Sequence, residues 1–152
     1  MAFRVFSNAF PESGRIPALH SCEGADVSPS LEWSGEPAGT RSFVLVVEDP
    51  DAPNGTWTHW VLYDIPPKVR QLAQGIKPGA LGLSGFNDFG KPGYGGPCPP
   101  KGHGPHRYFF RLYALDVHTL GLPAGEKRPE VLKAMDGHIL AETETVGRFE
   151  RR

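Results

Sequence analysis

The stretch "SFVLVVEDPDAPNGTWTHWVLYDIPP", residues 42–67, carries the clearest secondary-structure pattern in the chain. Residues 43–47 form an uninterrupted apolar run typical of a buried strand. Residues 57–65 form a second run, rich in aromatic and β-branched side chains. Pro66 and Pro67 end the second run, because proline cannot donate to a strand ladder. The stretch therefore predicts two neighbouring strands joined by a turn.

The turn between these strands is predicted at the Asn-Gly pair, residues 54–55, which is a strong hairpin signal. A turn centred there places His59 roughly opposite Pro50 and brings Asp49, Asp51 and His59 to one end of the sheet. The prolines in this loop leave the register open. A structural alternative for the two aspartates also stays open, in which both only accept hydrogen bonds from loop amides.

The remaining chain repeats short apolar runs separated by turn residues, which favours an all-β fold. In "RYFFRLYALD", Tyr108, Phe110 and Leu112 share one face, and the bulk of this run suggests a central strand. The helix signal is "PEVLKAM", with Pro129 suited to its first turn and Gly137 placed to end it. Weaker strands are expected in "FRVF" (3–6), "SLEW" (30–33) and "HILAETETVGRF" (138–149), the last with one solvated face.

These elements predict an antiparallel two-sheet β-sandwich with one or two short helices. The length of 152 residues fits one domain, taken as residues 1–152. Sixteen Lys and Arg against seventeen Asp and Glu give a formal charge of −1, which argues against a nucleic-acid partner or stable membrane insertion. With no signal-peptide pattern at the start, we expect a cytoplasmic protein.

The two cysteines, Cys22 and Cys98, lie far apart in sequence without a CxxC pattern. In a cytoplasmic protein we expect a reduced pair, with a disulfide as the less favoured alternative. Cys98, His103 and His106 match no standard metal-ligand spacing, so neither a metal nor a cofactor is expected. "GFNDFGK" (85–91) imitates a phosphate-binding loop, but proline follows where such a loop needs a hydroxyl.

The segment "GPCPPKGHGPHRY", residues 96–108, combines histidines with many prolines and glycines. His106 has the same strand parity as Tyr108, so both side chains are expected on one face. A single histidine in a strand is more often structural than functional. Here, however, two segments place polar groups at strand ends braced by Pro and Gly, which is the arrangement of a preformed small-ligand site.

Four segments together resemble the phosphatidylethanolamine-binding protein family, also called Raf kinase inhibitor-like proteins. The bacterial and archaeal branch is the most similar, and the resemblance covers nearly the whole chain. It implies an antiparallel β-sandwich with a small anion pocket at one end. The segments are "DPDAP" (49–53), "THWVLYDIP" (58–66), "GYGGPCPP" (93–100) and "GPHRYFFRLYALD" (104–116).

The resemblance also implies which residues line the pocket, and it assigns Arg107 to holding the loop by pairing with an aspartate such as Asp51. Asp49 would either orient and charge a histidine or receive the ammonium of an ethanolamine head group. No catalytic residue is implied. The ligand-binding residues carried over are Asp49, Pro53, Trp57, His59, Gly96, Cys98, Pro99, Pro100, His106 and Tyr108.

The leading hypothesis is a non-enzymatic binding protein for phosphate-containing ligands: phospholipid head groups, nucleotides or phosphorylated protein groups. Inhibition of a kinase or a protease is an implied activity, and a homodimer is implied by the bacterial relatives. One alternative is an acid/base hydrolase using Asp49, His59 and His106. A third hypothesis is a structural partner protein whose pocket has no ligand.

Overall fold

The computed structural model describes residues 2–152. Its two helices are short: a 3-10 helix at Ala18–His20 and α1 at Arg128–Met135. Most of the regular secondary structure is β-strand. The strands are β1 (Arg4–Phe6), β2 (Leu31–Ser34), β3 (Ser42–Asp49), β4 (Trp57–Ile65), β5 (Gln71–Leu72), β6 (Leu83–Ser84), β7 (His106–Leu115) and β8 (Ile139–Phe149).

The strands form two antiparallel sheets, so the predicted all-β two-sheet architecture is confirmed. The small sheet has the order β1-β2-β5, and the large sheet has the order β6-β4-β3-β7-β8. Strand β7 pairs with β3 on one side and β8 on the other, so it is an interior strand, as its bulk suggested. The middle strand of the sheet is β3.

Both faces of the large sheet are buried at β3, which explains the unbroken apolar run in this strand. Its inner face packs on the small sheet, where Phe43 stacks edge-on against Trp33 of β2. Its outer face is covered by α1 through Val131 and Met135. Because successive strand residues point to opposite faces, a strand buried on both sides needs apolar side chains at every position.

The connection between β3 and β4 is longer than the predicted turn, and it fixes the register that the sequence had left open: His59 does not lie opposite Pro50. Asp49 pairs with Trp57, and all of residues 50–56 belong to the loop. Proline lacks an N–H donor, so the prolines at 50 and 53 prevent the strands from running into a two-residue hairpin. A tight turn does form near the predicted pair, where the Gly55 N–H donates to the Ala52 carbonyl at 3.3 Å.

A β-bulge in β4 follows directly from this register. Val47 pairs with Trp60 and Glu48 pairs with Thr58, which leaves His59 as the extra residue. A bulge lets two consecutive side chains point to the same face. Here Trp60 joins the inner core and His59 packs beside the inner-face Tyr108.

The other predicted elements are close to their expected positions. Helix α1 begins at Arg128, one residue before Pro129, and the chain leaves it through Gly137 at a φ of 84°. Strand β8 has the expected solvated face, with Glu142 and Glu144 exposed. Neither helix within residues 2–152 has the length and apolar character needed to cross a bilayer.

Candidate functional site

A cavity of about 370 Å³ opens at the end of the large sheet where β3 runs into the 50–56 loop. One wall consists of strand residues from β3, β4 and β7, and the opposite wall consists of loop residues. The structure brings together most of the predicted site residues here and adds two that were not predicted. The cavity is lined by Asp49, Ala52, Pro53, Trp57, His59, Phe89, Cys98, Pro99, Pro100, His106 and Tyr108.

His59 reaches the cavity because of the bulge in β4. Its Nδ1 lies 2.7 Å from the Gly95 carbonyl oxygen, which only accepts, so Nδ1 carries the proton and donates. Nε2 has no hydrogen-bond partner within residues 2–152. Burial lowers the pKa of the imidazole below its ordinary value of 6.5, against the opposing effects of the Gly95 carbonyl and of Asp49. At neutral pH His59 is therefore an uncharged ring whose Nε2 lone pair is available to a ligand.

His106 differs from His59 because both of its ring nitrogens bind other protein groups. Nδ1 lies 2.6 Å from Oδ2 of Asp49, and Nε2 lies 2.6 Å from Nδ1 of His103. Asp49 and His106 are buried, whereas His103 is exposed. His106 therefore presents its ring, and no free N–H, to the cavity. The contact expected between Asp49 and a histidine is present.

Tyr108 stands between the two histidines on the inner face of β7. Its ring centroid lies 5.1 Å from that of His59 and 6.5 Å from that of His106. Burial, with a smaller effect of the Asp49 charge, raises the pKa of the phenol far above its usual value. The hydroxyl therefore stays protonated. It is left without a protein partner in the described chain, so it can donate to a ligand.

Arg107 and Asp51 form an ion pair at the rim of the site. The guanidinium donates to both carboxylate oxygens, at 2.9 and 2.8 Å, and the Arg107 backbone N–H donates to Oδ2 at 2.9 Å. These bonds hold the pKa of Asp51 at about 2. They tie the 50–56 loop to the start of β7, the positioning role expected for both residues.

The loop wall contains a disulfide between Cys22 and Cys98, whose Cα atoms are 5.4 Å apart. The expectation of a reduced pair is therefore wrong. Seventy-six positions separate the two residues in sequence, so only the folded topology reveals that they meet. Beyond Cys98, Arg151 holds the same wall, because its Nε donates to the Pro99 carbonyl at 2.6 Å and its carbonyl accepts from the Gly102 N–H at 2.9 Å.

Gly96 does not line the cavity, contrary to the prediction. Its N–H donates to Oδ1 of Asp26 at 2.8 Å, so this amide is not available to a ligand. A Cβ atom at this position would lie 2.1 Å from the His20 carbonyl oxygen. Glycine is required here because the backbone at His20 passes close to it. This requirement concerns packing and not ligand binding.

Phe89 and Ala52 are the lining residues that sequence reasoning missed. The Phe89 ring lies 5.5 Å from the His59 ring and 5.4 Å from the Trp57 ring. Phe89 belongs to "GFNDFGK" (85–91), a segment that the sequence pattern assigned to no site. The signal was available, because a phenylalanine between Asp and Gly in a polar turn has no core to fill. Within residues 2–152, no cluster of three or more metal-binding side chains occurs.

A model of the phosphatidylethanolamine-binding proteins matches residues 6–150. The chain belongs to this family. A UPF0098 protein of Aquifex aeolicus is 51% identical over 150 residues, covering 97% of this chain and 88% of the relative. A UPF0098 protein of Methanothermobacter thermautotrophicus is 46% identical, covering 95% of this chain and 97% of the relative. The predicted family, in its bacterial and archaeal branch, is thus confirmed.

Two solved structures of the family share the whole fold. The crystal structure of CT736 from Chlamydia trachomatis, described as a phosphatidylethanolamine-binding protein homolog, superposes with a TM-score of 0.92 at 41% identity. Escherichia coli YbcL, described as a member of the mammalian family, gives 0.91 at 36% identity. Each match covers 99% of both chains. Membership in the family supports a binding protein of this type, since the family consists in general of non-enzymatic binding proteins.

Proposed function

We propose that the cavity binds a phosphate group attached to an organic moiety, without covalent chemistry, and that binding takes up a proton. The observation that carries this proposal is the pair of free polar groups on the strand wall. His59 Nε2 is a free acceptor and the Tyr108 hydroxyl is a free donor, on neighbouring rings 5.1 Å apart. A monoprotonated phosphate has an O–H to donate and oxygens to accept, so it matches both.

The charge of the cavity determines which protonation state is bound. Within residues 2–152 no Lys or Arg lines the cavity, and the one lining carboxylate, Asp49, accepts from His106. A phosphate dianion would therefore enter without a counter-charge. The favourable complex has one extra proton, on the phosphate or on His59 Nε2. Affinity for phosphate is then expected to rise as the pH falls.

The remaining lining fits the organic part of such a ligand. Trp57 and Phe89 are partly exposed, at 37% and 42%, and their rings meet at the mouth of the cavity. Prolines form much of the rest of the wall. A head group, a nucleotide or a phosphorylated side chain of a protein could place its phosphate at His59 and its organic part against these rings. Inhibition of a kinase or a protease would follow if the bound group belonged to that enzyme.

Calorimetric titration tests the proposal, with inorganic phosphate, phosphoethanolamine, a nucleoside monophosphate and a phosphoserine peptide as separate ligands. We expect the affinity for phosphate to fall by about tenfold between about pH 5.5 and pH 8, as the free phosphate loses the proton that the complex requires. His59→Gln should weaken phosphate binding and flatten its pH dependence. Tyr108→Phe should weaken phosphate binding but leave its pH dependence unchanged. An affinity that is independent of both pH and His59 would contradict the proposal.

The acid/base hydrolase alternative has no contact that favours it. Both ring nitrogens of His106 bind Asp49 and His103, and Cys98 is in a disulfide. Burial raises the pKa of the Tyr108 phenol, which disfavours it as a nucleophile. The same phosphoesters can be assayed for released phosphate. Turnover that is lost in His59→Gln would replace the binding function with an enzymatic one.

A further inference from the structure

The disulfide of the loop wall joins an exposed cysteine to a cysteine that lines the ligand cavity. Cys22 is exposed, whereas Cys98 is partly buried and lines the cavity beside Pro99. Thiol–disulfide exchange depends on which sulfur the attacking thiolate can reach. A thiolate arriving from solvent therefore meets the sulfur of Cys22 first.

We propose that the Cys22–Cys98 disulfide is a thiol-exchange site that controls the ligand cavity. A thiolate of a small molecule or protein attacks Sγ of Cys22 and forms a new S–S bond with it. The Cys22–Cys98 bond breaks, and Cys98 leaves with the electron pair and takes a proton from water. The product carries a mixed disulfide at the surface and a free thiol in the cavity wall.

The freed sulfur has room to move. Bonded sulfurs lie about 2.05 Å apart, whereas unbonded heavy atoms need about 3.5–4 Å, so opening the bond must push the two sulfurs apart. Cys98 also borders a second cavity of about 280 Å³, which Cys22 and Asp26 line as well. Because Cys98 lines the ligand cavity together with His59 and Tyr108, its displacement changes the volume of that cavity. This consequence rests on the proposed function.

Exchange at this site is reversible, because the segments that carry the cysteines are also held together without the disulfide. The Cys22 N–H donates to the Pro97 carbonyl at 3.1 Å, and the Gly96 N–H donates to Asp26 at 2.8 Å. The Tyr94 hydroxyl donates to the His20 carbonyl at 2.6 Å. These bonds keep the released thiol beside its partner, where its effective concentration is high. Removal of the external thiol then closes the disulfide again.

The regiochemistry is tested first on the wild-type protein. The folded, oxidised chain is treated with a limiting amount of a monothiol such as glutathione, quenched with acid and digested, and the modified cysteine is identified by mass spectrometry. We expect the mixed disulfide on Cys22 to exceed that on Cys98 by at least about tenfold. Predominant modification of Cys98, or exchange only after unfolding, would overturn the proposal.

Two matched variants then test the effect on the cavity. Cys22→Ser leaves a free thiol in the cavity wall, and Cys98→Ser leaves one at the surface, while both lack the cross-link. Alkylation with iodoacetamide should weaken inorganic phosphate binding to Cys22→Ser by about tenfold or more relative to the same unmodified variant, because the adduct fills the site. The same treatment should leave binding to Cys98→Ser unchanged. Equal effects in both variants would overturn control of the cavity.

Circular dichroism of each variant checks that it is folded, and the wild-type regiochemistry decides the proposal if one variant does not fold. Failure of the proposed function can be distinguished from failure of this inference. If oxidised wild-type protein does not bind phosphate, the ligand assignment fails, while the position of the mixed disulfide still decides whether the exchange site is correct. If wild-type protein binds phosphate, and Cys22→Ser binds phosphate equally well before and after alkylation, only the present inference fails.

Discussion

The two walls of the cavity are built in different ways. In the strand wall, the direction of each side chain follows from strand parity and from one bulge. These side chains pack against the buried core. The loop wall has no ladder of backbone hydrogen bonds. It is positioned by a disulfide and by bonds to segments distant in sequence, including Arg151. The comparison shows that the sheet orients the polar groups, while long-range cross-links define the volume in front of them.

Removal of the disulfide is expected to give the largest effect, which combines a global loss of stability with local loosening of the loop wall. The double variant Cys22→Ala/Cys98→Ala removes a cross-link between residues 76 positions apart in sequence. Because the unfolded chain gains entropy when this loop is opened, the free energy of unfolding should fall by about 4 kcal/mol. Chemical denaturation measures the change, and hydrogen exchange locates it. Exchange by local opening should appear at residues 93–102, while β3 and β7 should continue to exchange only through global unfolding. Local opening of the strand wall as well would remove the distinction between the two walls.

A smaller effect is expected from the strand wall when Asp49 is changed to Asn. Both Asp49 carboxylate oxygens accept a hydrogen bond, one from His106 and one from the Asp51 N–H, whereas the new amide has one acceptor oxygen, so one of these bonds is lost in a buried site. We expect a destabilisation of about 2 kcal/mol by chemical denaturation. Asp51→Asn is the matched control, because its ion pair with Arg107 is partly exposed and should contribute less than about 1 kcal/mol. A control as costly as the buried change would contradict this difference.

The smallest effect concerns pH and isolates His59. Burial lowers the pKa of His59 in the folded chain, whereas in the unfolded chain it titrates near 6.5. In the window just below 6.5, unfolding therefore takes up a proton at this residue. Its contribution to stability is complete above that window and is lost as the pH falls. The difference in unfolding free energy between wild type and His59→Gln should change with pH in this window only. A constant difference across it would show that His59 is not held neutral.

Prediction from the sequence succeeded where the residues adjacent in sequence determine the local structure. Parity placed Tyr108 and Phe110 on the inner face, and the proline and glycine around α1 set its ends. Sequence reasoning also predicted that Asp49 and His59 lie close together, but it missed the bulge at His59, because a bulge depends on how two strands pair and leaves no local signal. It failed at Cys22 and Cys98 because their contact depends on the whole topology, and it assigned Gly96 to the ligand when the requirement was close backbone packing.

The bonds from Arg151 to Pro99 and Gly102 have a consequence for synthesis on the ribosome. Strands β3, β4 and β7 can pair once residue 115 has left the exit tunnel, but the wall opposite them waits for residue 151 to emerge. A nascent chain can therefore display His59 and Tyr108 before it encloses anything.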